Sequence, residues 1–327
     1  MSLHLDPKQL DALLAVVEHG SFSKAAAALR LTLAAVSLRV GALEAALGQR
    51  LLVRGKRTTP TPSGQQLLVH VRGVRALEAD FLSSFQGTTD TGKSRPMHTL
   101  RVAVNADSLA TWFLPGVRDA LKRQRLLLDL VIDDQDYTLE ALKQGEVVGC
   151  VTSQQAPMAG CTTVPLGVMR YHCIAAPTLI DKWRLPSGGV SVHRMLRSPA
   201  VIFNRKDGLQ DLFLKNHFHI THAPYPRHFV PAVDGFECAI TEGLGWGMVP
   251  EIALQTRLNP DQCEVIFPTL WVDVPLVWQH WTKASNHTNA LTKISQKAAA
   301  THLRRPLFAP CLSRSWRTAL GHFKITA

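Results

Sequence analysis

The chain has 327 residues, 46% of them hydrophobic and 19% charged, with a formal net charge of +11. That length holds two or three cores of about 100–200 residues each, and the balanced composition excludes disordered and collagen-like classes. No charge-free run of about 18 apolar residues occurs, and the opening MSLHLDPKQ has neither a basic nor an apolar leader segment, so no membrane span or secretion signal is expected and the chain reads as cytoplasmic.

The charge is unevenly placed. Residues 1–95 hold 12 Lys and Arg against 7 Asp and Glu, residues 96–303 hold 19 against 18, and residues 304–327 hold 5 against none. Between residues 30 and 75, eight basic side chains face only Glu44 as an acid. A positive patch on a small module points to a polyanion, because neutralised phosphates release counterions. Cys150, Cys161, Cys173, Cys238, Cys263 and Cys311 form no CxxC pair, and the 14 histidines show no ligand spacing. No metal site, cofactor or disulfide lattice is therefore expected. His172-Cys173 lies in a predicted strand, where neighbours point to opposite faces, so it reads as structural.

In chain order, DPKQLDALLAVVEHG predicts a first helix, with Asp6 as cap, Pro7 in the first turn and Gly20 as stop. Ser21 caps a short Ala-rich helix, SFSKAAAAL, and Thr32 caps a third, TLAAVSLRVGALEAALG. On that third helix Val36, Val40, Leu43 and Leu47 recur at spacings of four, three and four, which marks an inward stripe. The opposite face is small and smooth, with Ser37, Leu38, Gly41 and nearby Arg39, bracketed by Arg30 and Arg50. LLVR and GKRTTPTPSG then predict two short strands joined by a basic loop. Three compact helices followed by a basic hairpin outline a winged helix-turn-helix.

SFSKAAAAL, AVSLRVGALEAALGQRLLVR and TPTPSGQQLL resemble the signature of LysR-type transcriptional regulators, and the likeness runs to about residue 303. The resemblance implies a DNA-binding domain over 1–60 with Thr32–Leu47 as recognition helix, and a linker and dimerisation helix over 61–95, opening at Gly64. It also implies a two-lobed α/β effector domain of periplasmic-binding-protein type over 96–303. Double-stranded promoter DNA is then the implied partner. Thr32, Ser37, Leu38 and Arg39 would approach bases or phosphates, and Arg54, Lys56 and Arg57 of the wing would hold the backbone. Leu67, Leu68, Val71, Val74, Leu77, Phe81 and Leu82, a stripe of about five turns, would pair with a second subunit. Where relatives commonly carry glutamine, Leu33 and Leu38 stand here, and Gly41 replaces a larger polar residue. Leucine meets only a thymine methyl or a sugar, so relaxed base specificity is expected.

After the linker QGTTDTGKSRPMHT, strands are predicted at Leu100–Val104, LLLDLVIDD and VVGCVTS, with helices opening near Ala106–Ser108 and at YTLEALKQGE. RYHCIAAP, PAVIFNR, WGMVP and PLVWQHW add strands. Alternation of this kind argues for open α/β lobes with ligands near strand carboxyl ends. Lobe I is expected over 96–167 and 270–303 and lobe II over 168–269, with crossings near Pro165–Val168 and Pro268–Trp271. NADSLATW, GEVVGCV and GMVP are similar to the lysine- and arginine-responsive members of the family, which implies a basic amino-acid effector. For such a ligand, the free backbone N–H groups where Asp107 and Ser108 begin a helix and the Ser108 hydroxyl would hold the carboxylate, supplemented by Asn105 and Thr152, with Asp107, Asp133, Asp134 and Asp234 available for the cations and Trp112 for the stem. Asp107 and Asp234 read equally as helix caps, Asp133 and Asp134 as turn residues, and Trp112 as core.

An enzyme has no support: GLGWG lacks the lysine and spacing of a phosphate loop, and no GxSxG or HExxH occurs. A free-standing amino-acid binding protein and an effector-independent, nucleoid-type DNA binder are the other readings. The regulator reading expects a homodimer or homotetramer, effector-driven closure of the cleft, and a changed bend in DNA or contact with RNA polymerase. The basic tail, 304–327, has no assigned role.

Overall fold

The structure, a computed structural model, describes residues 5–86, 97–132 and 135–305. Asp133, Asp134 and the tail from residue 306 lie outside the described residues.

The N-terminal module is built from α1 (Pro7–His19), α2 (Phe22–Leu29), α3 (Leu33–Leu47), β1 (Leu52–Val53) and β2 (Thr59–Pro60). Its boundaries follow local chemistry. Asp6, Ser21 and Thr32 accept from the backbone N–H groups of Lys8, Lys24 and Ala35 at 2.9, 3.2 and 3.1 Å. Gly20 and Gly48 end α1 and α3 at φ of 70° and 66°, a left-handed turn that glycine takes without strain. Leu13, Val16, Val36, Val40, Leu43, Leu51 and Leu68 form one core, and β1 and β2 close the antiparallel wing.

The linker helix, α4 (Pro62–Gln86), runs 25 residues. Gly64 lies in its first turn rather than opening it, and a Cβ there would stand 2.0 Å from the Leu51 carbonyl oxygen, so only glycine lets α4 approach the wing this closely. The apolar stripe of α4 splits in two. Leu68 and Val71 are 0% and 3% exposed, inside their own chain, and Leu67 packs on the N-terminal core. These three therefore serve intrachain packing, against the expectation that they face a second subunit. Val74, Leu77, Phe81 and Leu82, at 39 to 61% exposure, keep an open face. Gln65 Nε2 and Arg72 Nη1 both donate to the Gln144 carbonyl, at 2.7 and 2.9 Å, and Asp80 pairs with His287, so α4 is tied to the second module at two points.

That module starts with β3 (His98–Val104), α5 (Ala106–Ser108), a π-helical turn over Leu109–Phe113, and α6 (Leu114–Gln124). β4 (Leu126–Ile132), α7 (Gln135–Lys143), β5 (Gly149–Thr152) and the long β6 (Cys161–Ala175) follow. The second lobe contains α8 (Pro177–Trp183), α9 (Val192–Leu196), β7 (Ala200–Ile202), α10 (Leu209–Phe218), β8 (Arg227–Phe229) and α11 (Val233–Thr241). It ends with β9 (Gly247–Pro250), α12 (Glu251–Thr256) and β10 (Glu264–Val265), before β11 (Val272–Trp281) and α13 (Asn286–His302) return to the first lobe.

The strands join in the order β10-β6-β11-β5-β3-β4, with β9 also on β6. β3 lies parallel between β4 and β5, as α/β crossovers require. β6 and β11 are antiparallel partners along ten register pairs and run through both lobes. The lobes therefore change over inside paired strands. The register shifts between Leu276 and Val277, opposite Gly167. Gly167 has φ +147°, and a Cβ there would meet Leu303 Cβ at 2.8 Å. Beside it, Arg304 is bonded through its backbone to Val168 and through its guanidinium to Glu251 at 2.7 and 2.8 Å. GLGWG packs tightly: a Cβ on Gly245 would sit 2.3 Å from the Pro199 carbonyl oxygen.

Candidate functional site

Two surfaces gather the residues singled out by sequence. On α3, Val36, Val40 and Leu43 are buried, and that fixes which face remains outside. Leu38 is 75% exposed, Leu33 is 54% exposed, and a Cβ on Gly41 would meet nothing within 4 Å. Ser37 and Arg39 are half-buried at the edges of this face. Thr32 is exposed and already caps α3.

The basic groups around the face are not neutralised locally. Glu44, the single acid of the segment, spends one carboxylate oxygen on the Leu51 and Leu52 N–H groups at 2.8 and 3.3 Å. Its other oxygen faces Arg50 at 3.4 Å, and the Arg50 side chain is 81% exposed. Arg54, Lys56 and Arg57 are exposed on the wing. The Arg54 guanidinium lies 4.9 Å from the Phe22 ring centroid, and the Thr58 N–H donates to the Gly20 carbonyl at 2.8 Å, so the wing is held against the α1–α2 turn. A smooth helix face flanked by fixed guanidinium groups suits the groove of a duplex.

The second surface lies where β3 ends. Asn105 precedes α5 but makes no side-chain cap, and Asp107 is not a cap either. The Asp107 carboxylate accepts from Tyr171 Oη at 2.7 Å, and Thr111 Oγ1 donates to the Asp107 carbonyl at 2.5 Å. Burial pushes the Asp107 carboxyl above its ordinary range, and the nearby Asp207 charge adds to the rise, while Arg257 opposes it. Glu237 on α11 is raised as well, first by burial, with Asp234 and Asp107 adding to it and Arg257 opposing. Asp107, Asp207, Asp234 and Glu237 thus share one electrostatic neighbourhood drawn from both lobes.

Within it Arg257, just past α12, spans the lobes: Nη1 donates to the Ala110 carbonyl at 2.7 Å, and Nη2 pairs with Glu237. The Asn105 Oδ1 and Ser108 Oγ atoms are enclosed and have no protein hydrogen-bond partner. Thr152, 1% exposed at the end of β5, accepts from the Gln154 N–H at 3.2 Å. The π-helical turn is a local widening of the kind that often marks a functional site. It also carries Trp112 fully into the core beside Phe113, so Trp112 does not wall the cleft as expected; its bulk fills lobe I instead. Asp234 is exposed in the first turn of α11.

Tyr171, Asp207, Glu237 and Arg257 escaped the sequence reading. Asp207 sits in NRKDG, which reads as a turn, and its carboxylate does bond the Phe203 and Leu209 N–H groups at 3.3 and 3.0 Å. The others carry no local signal; only the fold brings Arg257 to Ala110, across 147 positions of sequence.

Residues 7–65 match the family model of the bacterial regulatory helix-turn-helix proteins of the lysR family, and residues 93–300 match that of the LysR substrate binding domain. The chain is similar to the transcriptional regulator ArgP of Pseudomonas fluorescens (strain Pf0-1), with 39% identity over 298 residues, 91% of this chain and 98% of that one. It is also similar to the crystal structure of ArgP from Mycobacterium tuberculosis, with 37% identity and a TM-score of 0.81 over 93% of this chain and 100% of that one. Full-length LysG from Corynebacterium glutamicum, solved with bound effector Arg, is 33% identical with a TM-score of 0.72 over 91% of this chain and 99% of that one.

Proposed function

Because the chain belongs to the LysR family of bacterial regulatory helix-turn-helix proteins, we propose that its DNA-binding activity is controlled by a basic amino acid, lysine or arginine, held between the two lobes. The observation that carries this reading is the company kept by Asp107. Its half-buried carboxylate is bonded to Tyr171 and repelled by Asp207, and Arg257 is the cation that opposes the upward shift. A ligand ammonium or guanidinium there relieves the repulsion and gains charge-assisted hydrogen bonds. Asn105 Oδ1, an enclosed acceptor two residues away, can take a further ligand N–H.

DNA is met by the open side of α3. Ser37 and Arg39 reach base edges or phosphates, Thr32 and Leu38 line the approach, and Arg54, Lys56 and Arg57 hold the backbone. The exposed half of α4, from Val74 to Phe81, pairs with a second subunit to make a homodimer or a pair of such dimers. Closure on the effector shifts the subunits relative to each other and alters the DNA bend or the contact with RNA polymerase, provided the ligand prefers the closed lobes. An amino-acid exporter or metabolic gene is the expected target. Calorimetry with lysine, arginine, leucine and glutamate, followed by footprinting, tests the reading. Heat confined to the basic pair, with a changed footprint, is the expected result; silence from both basic amino acids overturns it.

A further inference from the structure

The effector reading leaves the ligand's own carboxylate without a place. The sequence directs it to the start of α5, but Asp107 stands inside that first turn and repels a second anion.

Arg257 has the opposite properties. Its guanidinium lies between lobe I, through the Ala110 carbonyl, and lobe II, through Glu237, and its charge is felt by both Asp107 and Glu237. Arginine carries five N–H donors in a rigid fork, and the side chain keeps 27% exposure, so donors remain for a ligand. Ala110 is three residues beyond Asp107 on the continuous run of α5 and the π-helical turn. Arg257 and Asp107 act on each other electrostatically, so an anion on the first and a cation on the second fall in one neighbourhood.

We propose that Arg257 is the residue that holds the α-carboxylate of the effector, with Glu237 and the Ala110 carbonyl fixing its fork across the two lobes. The assignment rests on the effector reading above. It makes amino-acid recognition depend on lobe contact, because the guanidinium reaches its place only when Ala110 and Glu237 are both within its span.

The test compares lysine with lysine methyl ester, which keeps both cations and loses the anion, by calorimetry on the full chain and on Arg257→Gln and Arg257→Lys. The unsubstituted protein is expected to prefer lysine over the ester by about tenfold or more, the worth of a charge-assisted bond. Arg257→Gln is expected to weaken lysine binding more than ester binding, so that the preference for lysine is lost. Arg257→Lys, which keeps the charge and loses the fork, should retain part of the preference, and it keeps the test alive if the Gln variant fails to fold. A variant that binds lysine and ester more weakly by the same factor, or one that discriminates as well as the unsubstituted protein, overturns the Arg257 assignment alone. An unsubstituted protein that binds neither lysine, arginine nor the ester overturns the effector reading and this assignment with it.

Discussion

On α3, the side chains expected to meet a ligand stand in or near water: Leu38 is 75% exposed and the Gly41 position is open. At α5 the corresponding group, Asp107, is held by Tyr171 and raised by burial and by Asp207. The difference follows the size of the ligand. A duplex is a long polyanion whose attraction is summed over many exposed cations and is screened by salt. A small cation has to be recognised by one or two groups, and those gain most where water is thin and their charge is left uncompensated until the ligand arrives.

The largest effect is expected from removing the Asp107 charge. Asp107→Asn keeps an acceptor for Tyr171 and loses the anion, so affinity for lysine or arginine should fall by about 10- to 150-fold, the range of one charge-assisted bond. Folding stability should stay level or rise. A carboxyl raised above its unfolded value disfavours the folded state once ionised, and that cost grows as pH increases through the raised value. Calorimetry together with thermal unfolding at pH 7 checks both halves. A variant that loses stability and keeps effector affinity would reduce Asp107 to a packing residue and erase the contrast with α3.

At the other surface, Arg39→Ala should lower affinity for promoter DNA by about tenfold and reduce the slope of log K against log salt by about one. Its effect on stability should remain within about 0.5 kcal/mol, as for an ordinary surface position. Filter binding from low to high salt separates a phosphate contact from a base contact, since only the first changes the slope without changing sequence preference.

How much of each surface can be read from sequence follows from the same contrast. The α3 face was legible because Val36, Val40 and Leu43 lie on one turn-by-turn stripe, and caps at Thr32 and Gly48 bound it. The strand that ends at Asn105 and the helical turn after it were legible for the same local reason. Tyr171, Glu237 and Arg257 were not, because each acquires meaning only through β6, α11 and α12 meeting the π-helical turn. The linker stripe shows the intermediate case. Its period is local and true, but whether Leu68 faces a partner or its own core is decided by how α4 docks on the wing and on Gln144. Trp112 is open to both readings, core and cleft wall, and the π-helical widening that decides for the core leaves no trace in composition.

Beside the strand changeover, Glu251 offers a compensated carboxylate for comparison with Asp107. Glu251 accepts two bonds from Arg304 and lies near His172 Nε2 at 3.5 Å, and the Arg304 bonds chiefly hold its carboxyl below the ordinary value. A depressed acid stabilises the folded chain above its unfolded pKa and ceases to do so as pH falls through the folded value. Glu251→Gln should therefore cost about 1 kcal/mol at pH 7, a figure kept small because Arg304 is half exposed. Unfolding curves of the two proteins should converge as pH falls below the ordinary carboxylate range near 4.5. A gap that persisted into strong acid would mean that Glu251 acts through shape instead of charge.

The smallest effect separates the two demands on α3. Glycine inside a helix costs about 1 kcal/mol relative to alanine, and the added Cβ of Gly41→Ala would touch nothing within 4 Å. On the isolated protein, then, the substitution should raise stability by an amount approaching that figure. If the smooth face lies in a groove, the same methyl meets sugar or base edges, and DNA affinity should fall, by a few-fold at most, while the melting temperature rises. The opposite signs are what matter, because a residue that merely faced solvent would gain stability and leave DNA binding unchanged. Measuring both quantities on one preparation asks whether the glycine is kept for the sake of a second molecule at the expense of its own helix.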